Sequence, residues 1–240
     1  MQFTDSHIHL QDYKTNNTQQ IISDLRNCGF TKLICVSSQP ADFTEVARWA
    51  DLAQELIIPA FGIHPWYLDK ITDNWPEQLR SYLLKYPQSI IGECGIDRLK
   101  GCNLDSQISI LRAHIKLADE LHKPLNIHLV HAEDIFANLI KEISTPYMIH
   151  SFYGSINFLN LLLRNNAYIS INPKILLRPR AAEIIRIVPL NRLLTESDAP
   201  FQSNYRDIFN LIKQISLFKS LPEKNVADHI KQNLQNFTKN

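Results

Sequence analysis

Charge of one sign is what this sequence has least of: 25 Lys and Arg against 24 Asp and Glu leave a formal net charge of +1. A global basic field announcing nucleic acid is therefore excluded, and any phosphate binding must be local. Paired cysteines are lacking too. Cys28, Cys35, Cys94 and Cys102 form no C-x-x-C unit and read as reduced thiols, with a structural role for Cys35 and Cys94. Nowhere do about 18 apolar residues run uninterrupted, which excludes a spanning helix. The opening Met-Gln-Phe-Thr-Asp-Ser-His has neither the basic n-region nor the apolar h-region of an export leader. A cytoplasmic, monomeric chain without membrane attachment is expected. Long linkers, low-complexity tracts and internal repeats are also missing, so residues 1–240 read as a single domain.

What is present fits that reading. With 45% hydrophobic and 20% charged residues, the chain can bury a substantial core, and 240 residues match the roughly 250 of a (β/α)8 TIM barrel. Short β-rich runs alternate with helix-length amphipathic stretches. Candidate strands are Phe3 to His7, Lys32 to Ser37, Ile57 to Ile63, Ser89 to Glu93, Leu125 to His128, Tyr147 to His150, Ala167 to Ile171 and Arg192 to Thr195. Between Leu104 and Leu121, the residues Ile108, Leu111, Ile115, Ala118 and Leu121 share one helical stripe, which predicts a helix packed outside the barrel. Trp75 to Tyr86 and Asp134 to Ile143 read as further helices, with Pro87, Pro124 and Pro146 as stops. His114, His122 and His229 fall on predicted helices and read as surface residues, Trp49 and Trp75 as helix packing.

Six potential metal ligands end these apolar runs: His7, His9, Glu93, His128, His150 and Asp198. In a TIM barrel the chemistry sits where strands end. An open doubly wound sheet would also give βα alternation, but ligands from the first, fourth, fifth, sixth and eighth strands converge only if the sheet closes. His7 and His9 lie one residue apart in an extended segment, so both imidazoles leave one face and can grip one ion. Alone, such a pair also occurs solvated at surfaces. Asp198, just past an apolar strand, adds a carboxylate where the active face lies; its bland role is to cap a turn before Pro200. Glu196 is a nearby competitor, which strand alternation sends to another side. Glu93 lies between Gly92 and Gly95, which permit close backbone approach, and its two oxygens can bridge two cations.

These residues are similar to those of the TatD family of metal-dependent hydrolases, over essentially the whole chain. Asp5-Ser6-His7-Ile8-His9-Leu10, Gly62-Ile63-His64-Pro65, Gly92-Glu93-Cys94-Gly95-Ile96-Asp97, His150-Ser151-Phe152 and Glu196-Ser197-Asp198-Ala199-Pro200 resemble that family's signatures, in order. The resemblance implies an amidohydrolase-type barrel holding two divalent metals. His7, His9 and Asp198 would serve one ion, His128 and His150 the other, with Glu93 bridging. It also implies a magnesium-dependent deoxyribonuclease, often acting from 3′ ends of single-stranded nucleic acid. Two departures bear on substrate: Val130 stands where many members carry Arg, with His131 next to it, and the loop from Phe201 to Arg206 is shorter than usual.

The mechanism expected from this set is hydrolysis by a metal-activated water. Asp198 would bind metal and take the water's proton, and His64 would hydrogen-bond substrate oxygens. Four imidazoles and two carboxylates suit zinc, manganese or iron better than magnesium. Lys174, Arg178 and Arg180, after the seventh strand, are the local phosphate candidates beside His131, with Arg98 and Lys100 a weaker pair. Trp66, Tyr153 and Phe201 are candidate stacking residues for single-stranded DNA or RNA. An amidohydrolase cleaving an amide or ester, and a non-catalytic metal-binding barrel, are the competing readings.

Overall fold

The computed structural model describes residues 1–13 and 17–239. Eight parallel strands form one sheet in chain order: β1 (Phe3–Ile8), β2 (Phe30–Val36), β3 (Ile57–Phe61), β4 (Ile90–Asp97), β5 (Leu125–Val130), β6 (Tyr147–Ile149), β7 (Tyr168–Ile171) and β8 (Leu193–Thr195). The helices α1 (Thr18–Asn27), α2 (Phe43–Leu52), α3 (Trp75–Lys85), α4 (Leu104–Leu121), α5 (Glu133–Leu139), α6 (Ile156–Arg164) and α7 (Ala181–Ile187) each follow a strand; α8 (Asp207–Lys219) and α9 (Glu223–Phe237) follow β8. This is the (β/α)8 order, and its strands match the eight predicted. Strand β4 continues through Asp97, past the Glu93 at which the apolar run ends, and that extension matters for the site.

Alternation along the strands divides the core. Leu33 and Cys35 of β2 face the helices, whereas Ile34 and Val36 join Ile58, Ala60, Ile90, Met148, Tyr168 and Leu194 in a separate cluster inside the barrel. Leu234 and Phe237 of α9 belong to that inner cluster, so the last helix plugs one end of the barrel. The opposite end, at the strands' C-termini, stays open to the site. Helix α4 occupies the predicted span: Asn103 caps its start by accepting from the Ser106 N–H at 2.9 Å, and His122 ends it at φ 53°.

One helix residue departs from its expected place. His114 is fully buried, not on the surface: Nδ1 donates to the Ile110 carbonyl at 2.8 Å, Nε2 accepts from the Ile63 N–H at 3.3 Å, and the ring stacks on Trp75. Both ring nitrogens are satisfied, which removes the cost that would otherwise keep a histidine outside. His122 and His229 are exposed as expected.

The barrel's seam is drawn together by hydrogen bonds beyond β8. Asp198 N–H donates to His7 O at 2.9 Å and His9 N–H to Ala199 O at 2.8 Å. Asp5, fully buried, accepts from the Ser197 hydroxyl at 2.6 Å, the Ser197 N–H at 3.0 Å and the His7 N–H at 3.1 Å. Burial lifts the Asp5 carboxyl to about 7, against the pull of the Ser197 hydroxyl and amide. The first strand and the segment after the last are thereby fixed to each other.

Candidate metal centre

All six predicted ligands meet at the open end of the barrel. His7 Nε2 and His9 Nε2 lie 3.1 Å apart; Glu93 Oε2 stands 3.4 Å from the first and 3.7 Å from the second. Asp198 Oδ1 completes this group, 3.4 Å from His9 Nε2 and 3.9 Å from His7 Nε2. The other carboxylate oxygen of Glu93, Oε1, faces His150 Nε2 at 2.8 Å, His128 Nδ1 at 2.9 Å and His64 Nε2 at 3.4 Å. Donor atoms around a tetrahedral ion with bonds of about 2.0–2.2 Å sit roughly 3.3–3.6 Å apart, so the separations in the first group are close to those of a coordination shell.

The strands make this convergence possible through glycine. A Cβ on Gly95 (φ 156°) would stand 1.9 Å from the His128 carbonyl oxygen, so only glycine lets β4 lie this close to β5 beside His128.

Behind the donor atoms lies a second set of polar groups. His7 Nδ1 faces Asn126 Oδ1 at 3.2 Å, and His128 Nε2 faces Asp97 Oδ2 at 3.3 Å. Glu196 Oε1 lies 3.4 Å from His150 Nδ1, and neither atom has any other partner. An acceptor at the rear nitrogen holds the proton there and turns the other nitrogen's lone pair inward. His64 is arranged the other way round. Its Nδ1 accepts from the Trp66 N–H at 3.1 Å, so the neutral ring carries its proton on Nε2 and presents a donor, not a lone pair, to the centre.

Glu196 therefore does not go to another side. Strand β8 ends at Thr195, so period-2 alternation no longer governs residue 196, and its carboxylate turns in behind His150. Asp97 and Asn126 were legible but unread: Asp97 shares the β4 face of Glu93, and Asn126 the β5 face of His128. Ser151 and Gln202 carried no such signal.

Electrostatics test whether a cation belongs here. Glu93, Asp97, Glu196 and Asp198 are 0–6% exposed, and among the described residues their ion-pair partners are all histidines, with no Lys or Arg. Buried carboxylates without permanent cations are costly. Burial opposes ionisation of Glu93, yet His64, His150 and His7 hold its carboxyl well below the usual range. Burial likewise opposes charge on His150, but Glu93 and Glu196 push it well above the ordinary histidine value. His64, by contrast, is driven well below it by burial. The donor set thus has an excess of negative charge that divalent cations fit.

The centre floors a cavity of about 480 Å3, inside the roughly 300–1,000 Å3 of ordinary ligand sites. Val130, Lys174 and Arg178 line it, as do Trp66, Tyr153 and Phe201. Arg178 and Arg180 stand over the Tyr153 ring at 5.2 and 5.5 Å, with Arg180 outside the lining. His131 is exposed just past β5 and also lies outside the lining. Arg98 is engaged by Asp134 through two hydrogen bonds, and Lys100 Nζ sits 3.6 Å from the Trp66 ring centre. A surface groove of about 490 Å3 between α4 and α5, lined by Asp105, Arg112 and Asn138, holds no histidine.

Known proteins share this architecture. The family model described as TatD related DNase matches residues 4–239. An uncharacterized metal-dependent hydrolase of Buchnera aphidicola is 29% identical over 218 residues, covering 86% of this chain and 82% of that protein. The 3′-5′ ssDNA/RNA exonuclease TatD of a Rahnella species is 24% identical over 233 residues, covering 87% of each. The crystal structure of YjjV, a TatD homolog from Escherichia coli, superposes with a TM-score of 0.87 at 23% identity, covering 98% of this chain and 97% of that one.

Proposed function

The chain belongs to the TatD-related DNase family, a family of metal-dependent hydrolases, and we propose on that footing that it is a two-cation nuclease acting on single-stranded DNA or RNA from the 3′ end. The single observation that carries the reading is the division of Glu93: Oε2 joins His7, His9 and Asp198, while Oε1 joins His128 and His150. Each half is a donor set for one divalent cation, and the mixed nitrogen and oxygen ligands favour zinc, manganese or iron over magnesium. Bound there, such cations supply Lewis acidity toward a phosphoryl oxygen and make a water acidic enough to attack.

The protein's own groups do the rest. Asp198 accepts the proton of the attacking water, in reach of the donors it shares with His7 and His9. His64 Nε2–H donates to a substrate oxygen, and low basicity keeps this ring neutral. Lys174 and Arg178 meet backbone phosphates at the cavity wall, and Arg180 and His131 meet phosphates further along the strand. Tyr153, Trp66 and Phe201 offer stacking faces for bases. Free cysteines accord with a cytoplasmic setting, in which we take the chain to act as a monomer.

Labelled single-stranded oligonucleotides, incubated with the wild type and with Asp198→Asn while the metal is varied, test the reading. Stepwise shortening from the 3′ end by the wild type alone is expected. Equal cleavage by both proteins would expose a contaminant. Hydrolysis of amide or ester substrates without oligonucleotide cleavage would favour an amidohydrolase, a reading to which the apolar Val130 in the cavity wall lends support.

A further inference from the structure

Three loops meet beside Asp198. Ser151 follows β6, Asn172 follows β7 and Gln202 lies beyond β8, and all three line the cavity. Gln202 Nε2 donates to Asp198 Oδ2 at 2.7 Å and to Ser151 Oγ at 2.9 Å. An ionised carboxylate only accepts, so that Gln202 atom is the nitrogen. Asn172 is oriented independently: its Oδ1 accepts from the Lys174 backbone N–H at 2.9 Å. Its Nδ2 is left to donate to Gln202 Oε1 at 3.1 Å and to Ser151 Oγ.

The count of protons and lone pairs then closes on Ser151. Each amide nitrogen has two hydrogens, and both are used. The serine oxygen has two lone pairs, and both receive an amide N–H. Its own O–H cannot turn back to either nitrogen, and no acceptor takes it among the described residues. Ser151 is half-buried on the cavity wall and next in sequence to His150, whose Nε2 is 2.8 Å from Glu93 Oε1. Lys174 and Arg178 line the same wall. The spare hydrogen therefore stands beside the centre where only an acceptor can satisfy it.

We propose that the Ser151 hydroxyl donates to a non-bridging oxygen of the phosphoryl group held over the histidine and carboxylate cluster, with Asn172 and Gln202 as the positioning residues that aim it. The assignment of a phosphoryl ligand rests on the nuclease reading. The wall is built for an anionic, acceptor-only oxygen: it offers a hydroxyl that only donates and two nearby cationic side chains. Gln202 has a second consequence. By occupying Asp198 Oδ2 it leaves Oδ1 as the oxygen turned to His7 and His9, so one side chain orients both the metal-facing carboxylate and the substrate-facing hydroxyl.

The test uses the metal-loaded full chain with two substitutions that remove the donor by different routes. Ser151→Ala deletes the hydroxyl. Asn172→Asp leaves Ser151 in place but puts an acceptor oxygen where Nδ2 stands, so the serine proton turns back into the protein. Affinity for inorganic phosphate is measured by calorimetry, cleavage is measured on Rp and Sp phosphorothioate oligonucleotides, and bound metal is measured by elemental analysis. A hydrogen bond to a charged group corresponds to a roughly 10- to 100-fold effect. Both variants are expected to bind phosphate roughly 10-fold more weakly, to lose the wild type's discrimination between the two diastereomers, and to retain the wild type's metal content. Phosphate affinity and diastereomer ratio unchanged in both variants would overturn the proposal. If one variant does not fold, the other decides. If the wild type cleaves no oligonucleotide but the variants still lose phosphate affinity, Ser151 keeps its role and the nuclease reading fails instead.

Discussion

Glu196 Oε1 lies 3.4 Å from His150 Nδ1, fully buried and on the far side of the ring from Glu93. A carboxylate in that position fixes the ring's tautomer and makes the forward nitrogen a better donor. Glu196→Gln keeps the shape and removes the charge. Metal affinity should fall roughly 10- to 100-fold in a competition titration, with the circular dichroism spectrum unchanged. An unaltered affinity would show that Glu196 only fills space.

The ligand chemistry makes a prediction about what the protein carries. Four imidazoles and two carboxylates should retain zinc, manganese or iron through purification without added metal. Elemental analysis should find transition metal, and chelation should abolish activity until such a metal is restored. A metal-free preparation that needs only magnesium would overturn this.

The basic residues of the loop after β7 have a signature in salt. Each phosphate contact to a single strand contributes about 0.7 to the slope of log affinity against log salt. Changing Lys174, Arg178 and Arg180 to Glu should flatten that slope by about 2 and weaken oligonucleotide binding. If the slope stays where it was, the phosphates pass elsewhere.

His114 links stability to acid. Burial lowers its value from 6.5 to about 4 in the folded chain, against the pull of the Ile110 carbonyl. Between these two values the unfolded chain binds a proton that the folded chain refuses, so stability is lost as pH falls through that window and levels off below it. The loss attributable to this group is roughly 3 kcal/mol. In denaturant titrations at pH 7 and 4.5, His114→Phe should be less stable than wild type at pH 7, because the Ile63 N–H loses its acceptor. It should also lose less stability on acidification. Parallel losses in the two proteins would exclude His114 as the titrating group.

The sequence revealed most where a side chain's place follows from strand period alone. Alternation and strand ends were enough to predict eight strands and to bring His7, His9, Glu93, His128, His150 and Asp198 to one face. It failed where the backbone stopped being a strand, as at Glu196, and where polarity suggested exposure, as at His114, whose Nε2 is satisfied by the Ile63 N–H, a partner from outside the helix that the helical pattern cannot see. Ser151, Asn172 and Gln202 were illegible for a different reason: their roles follow from a donor count that exists only once three loops are folded together. Arg98 shows the converse, a basic residue near the site that Asp134 has already engaged.

Asp198 is held to His7 by a backbone hydrogen bond, and Ser197 to Asp5 by a hydroxyl–carboxylate contact, across separations of more than 190 residues. The first donor set is thus drawn from the beginning of the chain, from Glu93 on β4 and from a point near the chain's end. During synthesis, a chain that has emerged only through β7 presents His7, His9 and Glu93 without Asp198. The complete cluster is consequently assembled only late, when the segment after β8 closes on β1.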